Sequence, residues 1–126
     1  MDNSPFHEGE WLKFQAISDQ AEEFIDELSE SNWTDFLVAA TILENSLRSG
    51  RPPSGRAERI KGSRVGLWEL KVTPPGRRGP HVRLLYVRDG RTILVAWAVE
   101  KRRSAISRRA IDLAEGVVKR WRRERE

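Results

Sequence analysis

Two apolar runs in the second half of the chain flank the pair Asp89-Gly90. An Asp-Gly pair readily adopts the positive φ angles of a two-residue type I′ turn. Each run is rich in β-branched and aliphatic residues, which favour extended structure. The pattern therefore predicts an antiparallel β-hairpin within residues 81–103.

The turn also predicts which side chains share a face of this hairpin. If Arg88 lies opposite Arg91, alternation places four polar residues on one face, where Ala96 and Ala98 leave open space beside them. These polar residues are His81, Arg83, Glu100 and Arg102. The other face is apolar and is expected to pack on the core. It contains Val82, Leu84, Tyr86, Ile93, Val95, Trp97 and Val99.

The first half of the chain predicts a strand and two helices. Residues 1–9 lack periodicity and predict a flexible tail before a single domain over 10–126. Weak alternation over 10–18 predicts a first strand, and 19–29 predicts a helix with an acidic outer face. A second helix is expected from a cap at Ser31 or Asn32 to about residue 49.

A further strand is predicted over 67–72, followed after the hairpin by a C-terminal helix that begins at Ser104 or Ser107. The order β-α-α-β-β-β-α predicts an α+β fold. We expect a small antiparallel sheet of about four strands with two N-terminal helices and one C-terminal helix. Most tryptophans fall on the apolar stripes, and Trp11 alone is expected to be exposed for base stacking.

The composition narrows the class of protein. The chain has 126 residues, which suits one domain with a modest core. The absence of cysteine excludes disulfides and thiolate metal sites and is compatible with a reducing cytoplasm. With two histidines, no apolar run of membrane-spanning length and no secretory leader, we expect a soluble cytoplasmic protein without a metal or other cofactor.

Charge is divided sharply along the chain. Residues 1–50 hold 2 basic and 11 acidic side chains, whereas residues 51–126 hold 21 basic and 8 acidic ones. The basic residues of the second part are mostly arginine, which suits bidentate phosphate contacts and stacking on bases. This part is therefore expected to meet a polyanion such as RNA. A solvated basic surface is the alternative.

Three segments carry a family resemblance. They are GLWELK at 66–71, VRLLY at 82–86 and VEKR at 99–102. In this order and spacing the chain resembles the RelE/HigB toxins of bacterial toxin-antitoxin pairs, in particular their phage-derived HigB-like branch. The resemblance extends over about residues 21–121.

The resemblance implies an mRNA endoribonuclease, usually ribosome-dependent, that inhibits translation and is neutralised by a cognate antitoxin. It implies that Lys71 is the strand lysine of the family, Arg83 the strand arginine, and Lys101 and Arg102 the cationic pair after the last strand. The expected RNA contacts are completed by Arg103, Arg77, Arg78, Arg108 and Arg109.

RNA cleavage by its own 2′-hydroxyl needs a base, positive charge for the phosphorane and an acid for the departing oxygen. Arg83 and Arg102 are predicted to clamp the scissile phosphate, with Lys71 as a base whose pKa neighbouring charge lowers. His81 and Glu100 are the conventional proton carriers on that face.

Several residues keep a second interpretation open. Glu69 stands where RelE-like relatives often have a lysine, and Trp97 and Val99 replace a histidine and a phenylalanine of many HigB-like relatives. A distal tyrosine of some relatives has no counterpart. The alternative is a non-hydrolytic protein of the same fold that acts by binding, through gyrase inhibition or through an antitoxin or nucleic-acid contact only. Arg83 itself also has a structural interpretation, in which it ties the sheet to a carboxylate such as Glu69 or Glu100.

Overall fold

A computed structural model describes residues 4–53, 55–73, 81–101 and 105–126. The described residues form three helices and a six-stranded mixed sheet, so the fold is α+β. The strands are β1 (His7–Glu8), β2 (Lys13–Ala16), β3 (Ala57–Arg59), β4 (Trp68–Val72), β5 (Val82–Asp89) and β6 (Thr92–Glu100). The helices are α1 (Asp19–Asp26), α2 (Glu30–Ser49) and α3 (Arg108–Glu124).

The sheet has the strand order β1-β2-β6-β5-β4-β3. The predicted strands occupy its four central positions, but β2 pairs with β6 in parallel, and two short strands flank the four. The predicted four-stranded antiparallel sheet and the order β-α-α-β-β-β-α are therefore wrong. Strands of two and three residues are too short to show alternation, which is why β1 and β3 escaped the pattern.

The N-terminal edge is more ordered than its sequence suggests. His7 pairs with Phe14 across β1 and β2, and Phe6 packs on the core although it lies in the segment predicted as a tail. The Phe6 ring lies 5.7 Å from that of Phe36 in α2, so residues 6–8 join the sheet and its core.

The hairpin forms, but its register differs from the prediction in two ways. The turn residues are Gly90, with φ of 59°, and Arg91, so Asp89 pairs with Thr92 instead of lying in the turn. The register also shifts beside Tyr86, which leaves Ala96 without a cross-strand partner as a β-bulge.

The bulge reverses the alternation of β6. Val99 lies opposite Arg83 and therefore shares its face, and so does Trp97 two positions earlier. Glu100 lies opposite Val82 and belongs to the other face. The predicted grouping of Glu100 with Arg83 is wrong, because an extra residue in a strand exchanges the faces of every residue after it.

Both faces of the sheet bury a core, which the sequence pattern did not predict. Helices α1 and α2 cover the core that contains Leu84 and Ala98, and α3 covers a second core that contains Leu85 and Ala96. Both alanines are fully buried, so the open space expected beside the charged residues does not exist there.

Serine side chains cap the helices at their starts. Ser18, Ser29 and Ser107 accept a hydrogen bond from the backbone N–H three residues ahead in α1, α2 and α3. The cap of α2 is thus two residues earlier than the earliest predicted position, whereas Ser107 was one of the two predicted caps of α3. Gly50 ends α2 in the left-handed conformation, with φ of 74°. Within the described ranges, none of the helices has the length and apolar character needed to cross a membrane.

Candidate functional site

Four charged side chains lie on the α3-side face of the sheet, on three neighbouring strands. Lys71 lies directly opposite Arg83 on β4 and β5, and Glu58 lies opposite Glu69 on β3 and β4. Because Glu69 and Lys71 are two positions apart, all four share one face. We call these four residues the charged cluster.

The inner pair of the charged cluster is buried. Arg83 Nη1 donates to Glu69 Oε1 over 2.7 Å, and the two side chains are 8% and 9% exposed. Arg83 Nε is buried and has no hydrogen-bond partner within the described part of the chain. Burial raises the pKa of Glu69 above its usual value, and the positive charges of Arg83 and Lys71 act in the opposite direction. The pair thus keeps a guanidinium donor that is not satisfied.

The outer pair is open to solvent. Lys71 Nζ lies 2.7 Å from Glu58 Oε1, and the side chains are 27% and 57% exposed. The hydrogen bond from the Lys71 ammonium, together with its charge, lowers the pKa of Glu58 below its usual value. Exposed ion pairs exchange their partners readily, because they contribute only about 0–1 kcal/mol to stability. Lys71 is therefore available to another anion.

A histidine and a second lysine extend the charged cluster towards the open end of the hairpin. His81 precedes Arg83 by two positions, and its Nδ1 lies 2.7 Å from Thr73 Oγ1. The N–H of Lys101 donates to the His81 carbonyl over 2.5 Å, which continues the β5–β6 pairing past Glu100. Alternation therefore places Lys101 on the face of Arg83.

The predicted catalytic residues are only partly assembled. Arg83, Lys71 and His81 lie on one face, and Lys101, predicted as an RNA contact, lies there with them. Glu100 is exposed on the opposite face. Arg102 lies outside the described residues.

The other predicted RNA contacts are placed in part. Arg108 at the start of α3 binds Asp112 at 3.0 Å and Glu115 at 3.7 Å, so its guanidinium already has acidic partners. Arg109 is exposed in the first turn of α3. The remaining three, Arg77, Arg78 and Arg103, lie outside the described residues.

Two residues of the site were missed by the sequence pattern. Glu58 holds Lys71, and Thr73 holds His81, each at 2.7 Å. Alternation along β4 carries Glu69, Lys71 and Thr73 to one face, so the pattern contained a signal for Thr73. For Glu58 there was none, because β3 is too short to be recognised.

An ion pair on the α2 side holds the end of β4 that carries Lys71 and Thr73. Asp35 in α2 is fully buried and accepts hydrogen bonds from Arg56 Nη1 at 2.8 Å and Nη2 at 3.2 Å. Asp35 also accepts from the backbone N–H of Thr73, and Arg56 Nη1 lies 3.4 Å from the Lys71 carbonyl. This pair therefore fixes the backbone beneath the charged cluster.

The described residues contain no group of three or more His, Cys, Asp or Glu side chains that is arranged to hold a metal ion. The charged cluster contains one guanidinium, one ammonium and two carboxylates, and the imidazole of His81 lies beside it. Such a set can bind a phosphodiester and move protons. A scan against protein-family models finds no match to this chain, and a search of curated proteins finds none either.

Proposed function

We propose that this chain binds single-stranded RNA across the charged cluster and cleaves it, as an endoribonuclease that inhibits translation. The observation that carries the proposal is the placement of Lys71 directly opposite Arg83, with His81 and Lys101 on the same face. Cations converging on one face suit a phosphate that gains charge in the transition state.

The roles follow from the hydrogen bonds of each side chain. Lys71 offers an ammonium whose partner Glu58 is exposed, so it binds a non-bridging oxygen of the scissile phosphate, and the buried guanidinium of Arg83 supplies positive charge beside it. His81 has Nδ1 on Thr73, which leaves Nε2 as the ring nitrogen that exchanges a proton with the substrate.

In the proposed reaction the 2′-hydroxyl gives its proton to a base as its oxygen attacks phosphorus. The bond from phosphorus to the 5′-oxygen breaks, and that oxygen takes up a proton. The products are a 2′,3′-cyclic phosphate and a free 5′-hydroxyl. The step needs no metal, oxidant or co-reactant.

The expected partners belong to the same proposal. The resemblance to RelE/HigB toxins suggests mRNA on the ribosome as substrate and a cognate antitoxin as inhibitor. The excess of basic residues in 51–126 supports contact with ribosomal RNA, because clustered arginines gain affinity by releasing counterions from phosphates.

The test is primer-extension mapping of a reporter mRNA in a reconstituted translation reaction. We expect discrete cuts with the unaltered chain and a reduction in cleavage rate of about 10²–10³ in Arg83→Ala, the range seen when a transition-state donor is removed. Lys71→Ala should also slow cleavage. Arg88→Ala is the matched control, because Arg88 is exposed at the far end of β5.

Arg83 is buried, so its replacement also requires a check of folding. His81→Ala keeps the test decisive, since His81 is only half-buried and its loss removes a proton carrier. Cuts that persist in both Arg83→Ala and His81→Ala would contradict the assigned site. Intact mRNA with the unaltered chain would contradict the nuclease itself.

A second candidate is a protein of the same fold that acts by binding alone. It is favoured by the carboxylates that already hold both central cations, Glu69 on Arg83 and Glu58 on Lys71, each at 2.7 Å. On this alternative the charged cluster is structural. Intact mRNA in the translation reaction would select it, with DNA gyrase and the antitoxin as the next partners to test.

A further inference from the structure

A cleft of about 580 Å³ lies between the C-terminal turns of α3, strand β6 and the segment that joins β2 to α1. Its volume is within the range of pockets that bind small ligands, roughly 300–1,000 Å³. Two indole rings and two guanidinium groups are the chemically distinctive part of its lining. The residues that matter are Trp97, Trp121, Arg120, Arg125, Asp19 and Gln20.

Trp97 and Trp121 pack against the α3-side core, as the sequence pattern predicts, but they are not enclosed by it. Both are half-buried, and both line this cleft. The Arg125 guanidinium lies over the Trp121 ring, 4.5 Å from its centroid, so the ring already accepts a cationic group on its face. Nucleobases can also stack on indole faces, and this stacking tolerates any base because every base has a π-face.

The wall of the cleft opposite α3 is held in place by hydrogen bonds. Ser18 Oγ donates to the Ala96 carbonyl over 2.7 Å. Gln20 binds both backbone groups of Ala98, donating to its carbonyl over 2.5 Å and accepting from its N–H over 2.9 Å. These bonds fix the chain against the bulged part of β6. The cleft is therefore preformed and does not have to be ordered by its ligand.

The cleft lies next to the charged cluster. Trp97 is on the same face of β6 as Val99, the residue directly opposite Arg83. Two residues along a strand span about 7 Å, and neighbouring strands are about 4.8 Å apart. A strand of RNA bound at Arg83 therefore reaches Trp97 within a short stretch of its length.

We propose that this cleft binds one nucleotide of single-stranded RNA, with the base against Trp97 and Trp121 and a phosphate on Arg120 and Arg125. The inference rests on the proposed function, because it takes RNA to be the ligand of the adjacent charged cluster. The Asp19 carboxylate supplies an acceptor for amino groups of the base. An acidic peptide fits less well, because it lacks the planar ring that stacks on the indoles of the lining.

The test follows the indole N–H signals of the ¹⁵N-labelled full chain by NMR. The chain has five tryptophans, so each indole signal is assigned by a Trp→Phe substitution. The probe is a pentaribonucleotide with 2′-O-methyl groups, which cannot be cleaved. We expect the signals of Trp97 and Trp121 to shift, while that of Trp33, in the core on the other face, stays in place.

Variants of α3 make the test specific. Arg120→Ala should weaken binding of the pentamer by about tenfold, as expected for one lost charge-assisted hydrogen bond. Arg123→Ala is the matched control, because Arg123 is exposed in the same helical turns and does not line the cleft. Equal losses in both variants would show non-specific attraction to a basic helix and overturn the site.

Two further probes decide what the cleft recognises. An abasic pentamer of the same charge should bind at least about tenfold more weakly and leave both indole signals unmoved, since it cannot stack. Equal binding of the abasic strand, a shift caused by a polyglutamate peptide instead of RNA, or no shift at all would each overturn the proposal.

The NMR binding test and the mRNA cleavage test can fail independently of each other. In Arg83→Ala the pentamer should still shift the Trp97 and Trp121 signals, even where cleavage is abolished. A chain that never cleaves mRNA but shows these shifts refutes the nuclease and keeps the nucleotide cleft. A chain that cleaves mRNA without these shifts supports the nuclease and refutes the nucleotide cleft.

Discussion

Strand β4 has one pair of a carboxylate and a guanidinium on each of its faces, and the two pairs are built differently. Towards α2, Asp35 accepts from both terminal nitrogens of Arg56 and from a backbone N–H. On the opposite face, the recorded hydrogen bond of Glu69 comes from Arg83 Nη1, and Arg83 Nε is left without a partner within the described residues. Within the described residues, the Asp35 carboxylate has three donors, whereas the other pair keeps a buried donor without a partner.

The two pairs therefore differ in the donors that they leave free, and we call the Asp35–Arg56 pair the anchor. A buried charged group with all its bonds made contributes order but has nothing left to offer a ligand. A buried donor without a partner costs about 1–3 kcal/mol, and in a native structure such a group calls for a functional explanation. The comparison indicates that the Asp35 pair has a stabilising role, whereas Arg83 keeps a buried donor without a partner within the described residues.

Replacing Asp35 should have the largest effect and tests the anchor. Asp35→Ala leaves the Thr73 N–H without its acceptor, which costs about 1–3 kcal/mol, while the partly exposed Arg56 can turn to solvent. The free energy of unfolding, measured with urea, should fall by that amount. Asp35→Asn, which keeps the shape and one acceptor oxygen, should cost less and remain measurable if the alanine variant does not fold.

The control for this prediction is Asp112→Ala. Asp112 also binds an arginine, Arg108 at 3.0 Å, but both side chains are exposed. Removing an exposed i, i+4 pair should change stability by about 0.3–0.5 kcal/mol. Similar losses in the Asp35 and Asp112 variants would contradict the anchor.

Glu69→Gln should have an intermediate effect, visible in the pH dependence of stability. Burial raises the pKa of Glu69 in the folded state above its value in the unfolded chain, about 4.3. Between these two values the folded state binds more protons, so the free energy of unfolding falls as pH rises through this window. One group changes the slope by at most about 1.4 kcal/mol per pH unit.

The glutamine variant should lose this downward slope. Glu58→Gln should change the slope in the opposite sense, because the pKa of Glu58 is lowered in the folded state and its contribution is lost as pH falls. Urea unfolding at several pH values measures both. Identical slopes for the unaltered chain and Glu69→Gln would contradict the raised pKa of Glu69 in the folded state.

Glu58→Gln should have the smallest effect on stability, and it tests whether Lys71 is available to bind RNA. Its pair with Lys71 is exposed, so the variant should unfold at nearly the same urea concentration as the unaltered chain. Released Lys71 should bind RNA more strongly, and the slope of log affinity against log salt should steepen by about 0.7 for one further phosphate contact.

Fluorescence titration of a non-cleavable RNA at several salt concentrations measures that slope. Glu100→Gln is the matched control, because it removes an exposed carboxylate from the opposite face of the same sheet. A steeper slope in Glu100→Gln, or none in Glu58→Gln, would mean that overall charge and not Lys71 governs RNA affinity.

The sequence pattern predicted the central elements because their signals are local. The β5–β6 hairpin, α2 and α3 each show periodicity over many residues, and all three are present. The pairing of Arg83 with Glu69 was one of two interpretations that the residues left open, and the coordinates contain that bond. Lys71, which the resemblance made a site residue, lies directly opposite Arg83.

Other features depend on contacts that the pattern cannot contain. The bulge at Ala96 is invisible in a run of small and aliphatic residues, yet it decides that Lys101 and not Glu100 accompanies Arg83. Asp35 and Arg56 are 21 positions apart in different elements, and only tertiary packing brings them together. The wrong predictions concern the sheet face on which a residue lies and the residue that it contacts, and both depend on the whole fold.

The parallel pairing of β2 with β6 has a consequence for when the protein becomes complete during synthesis. The bond between Ser18 and Ala96 joins positions 78 residues apart, and Gln20 reaches Ala98 over the same separation. At roughly 5–20 residues per second, a ribosome needs on the order of 4–16 s to add that length. For this interval the first half of the nascent chain has an apolar strand without its sheet partner, so closure of the sheet is a late event that depends on emergence of the hairpin.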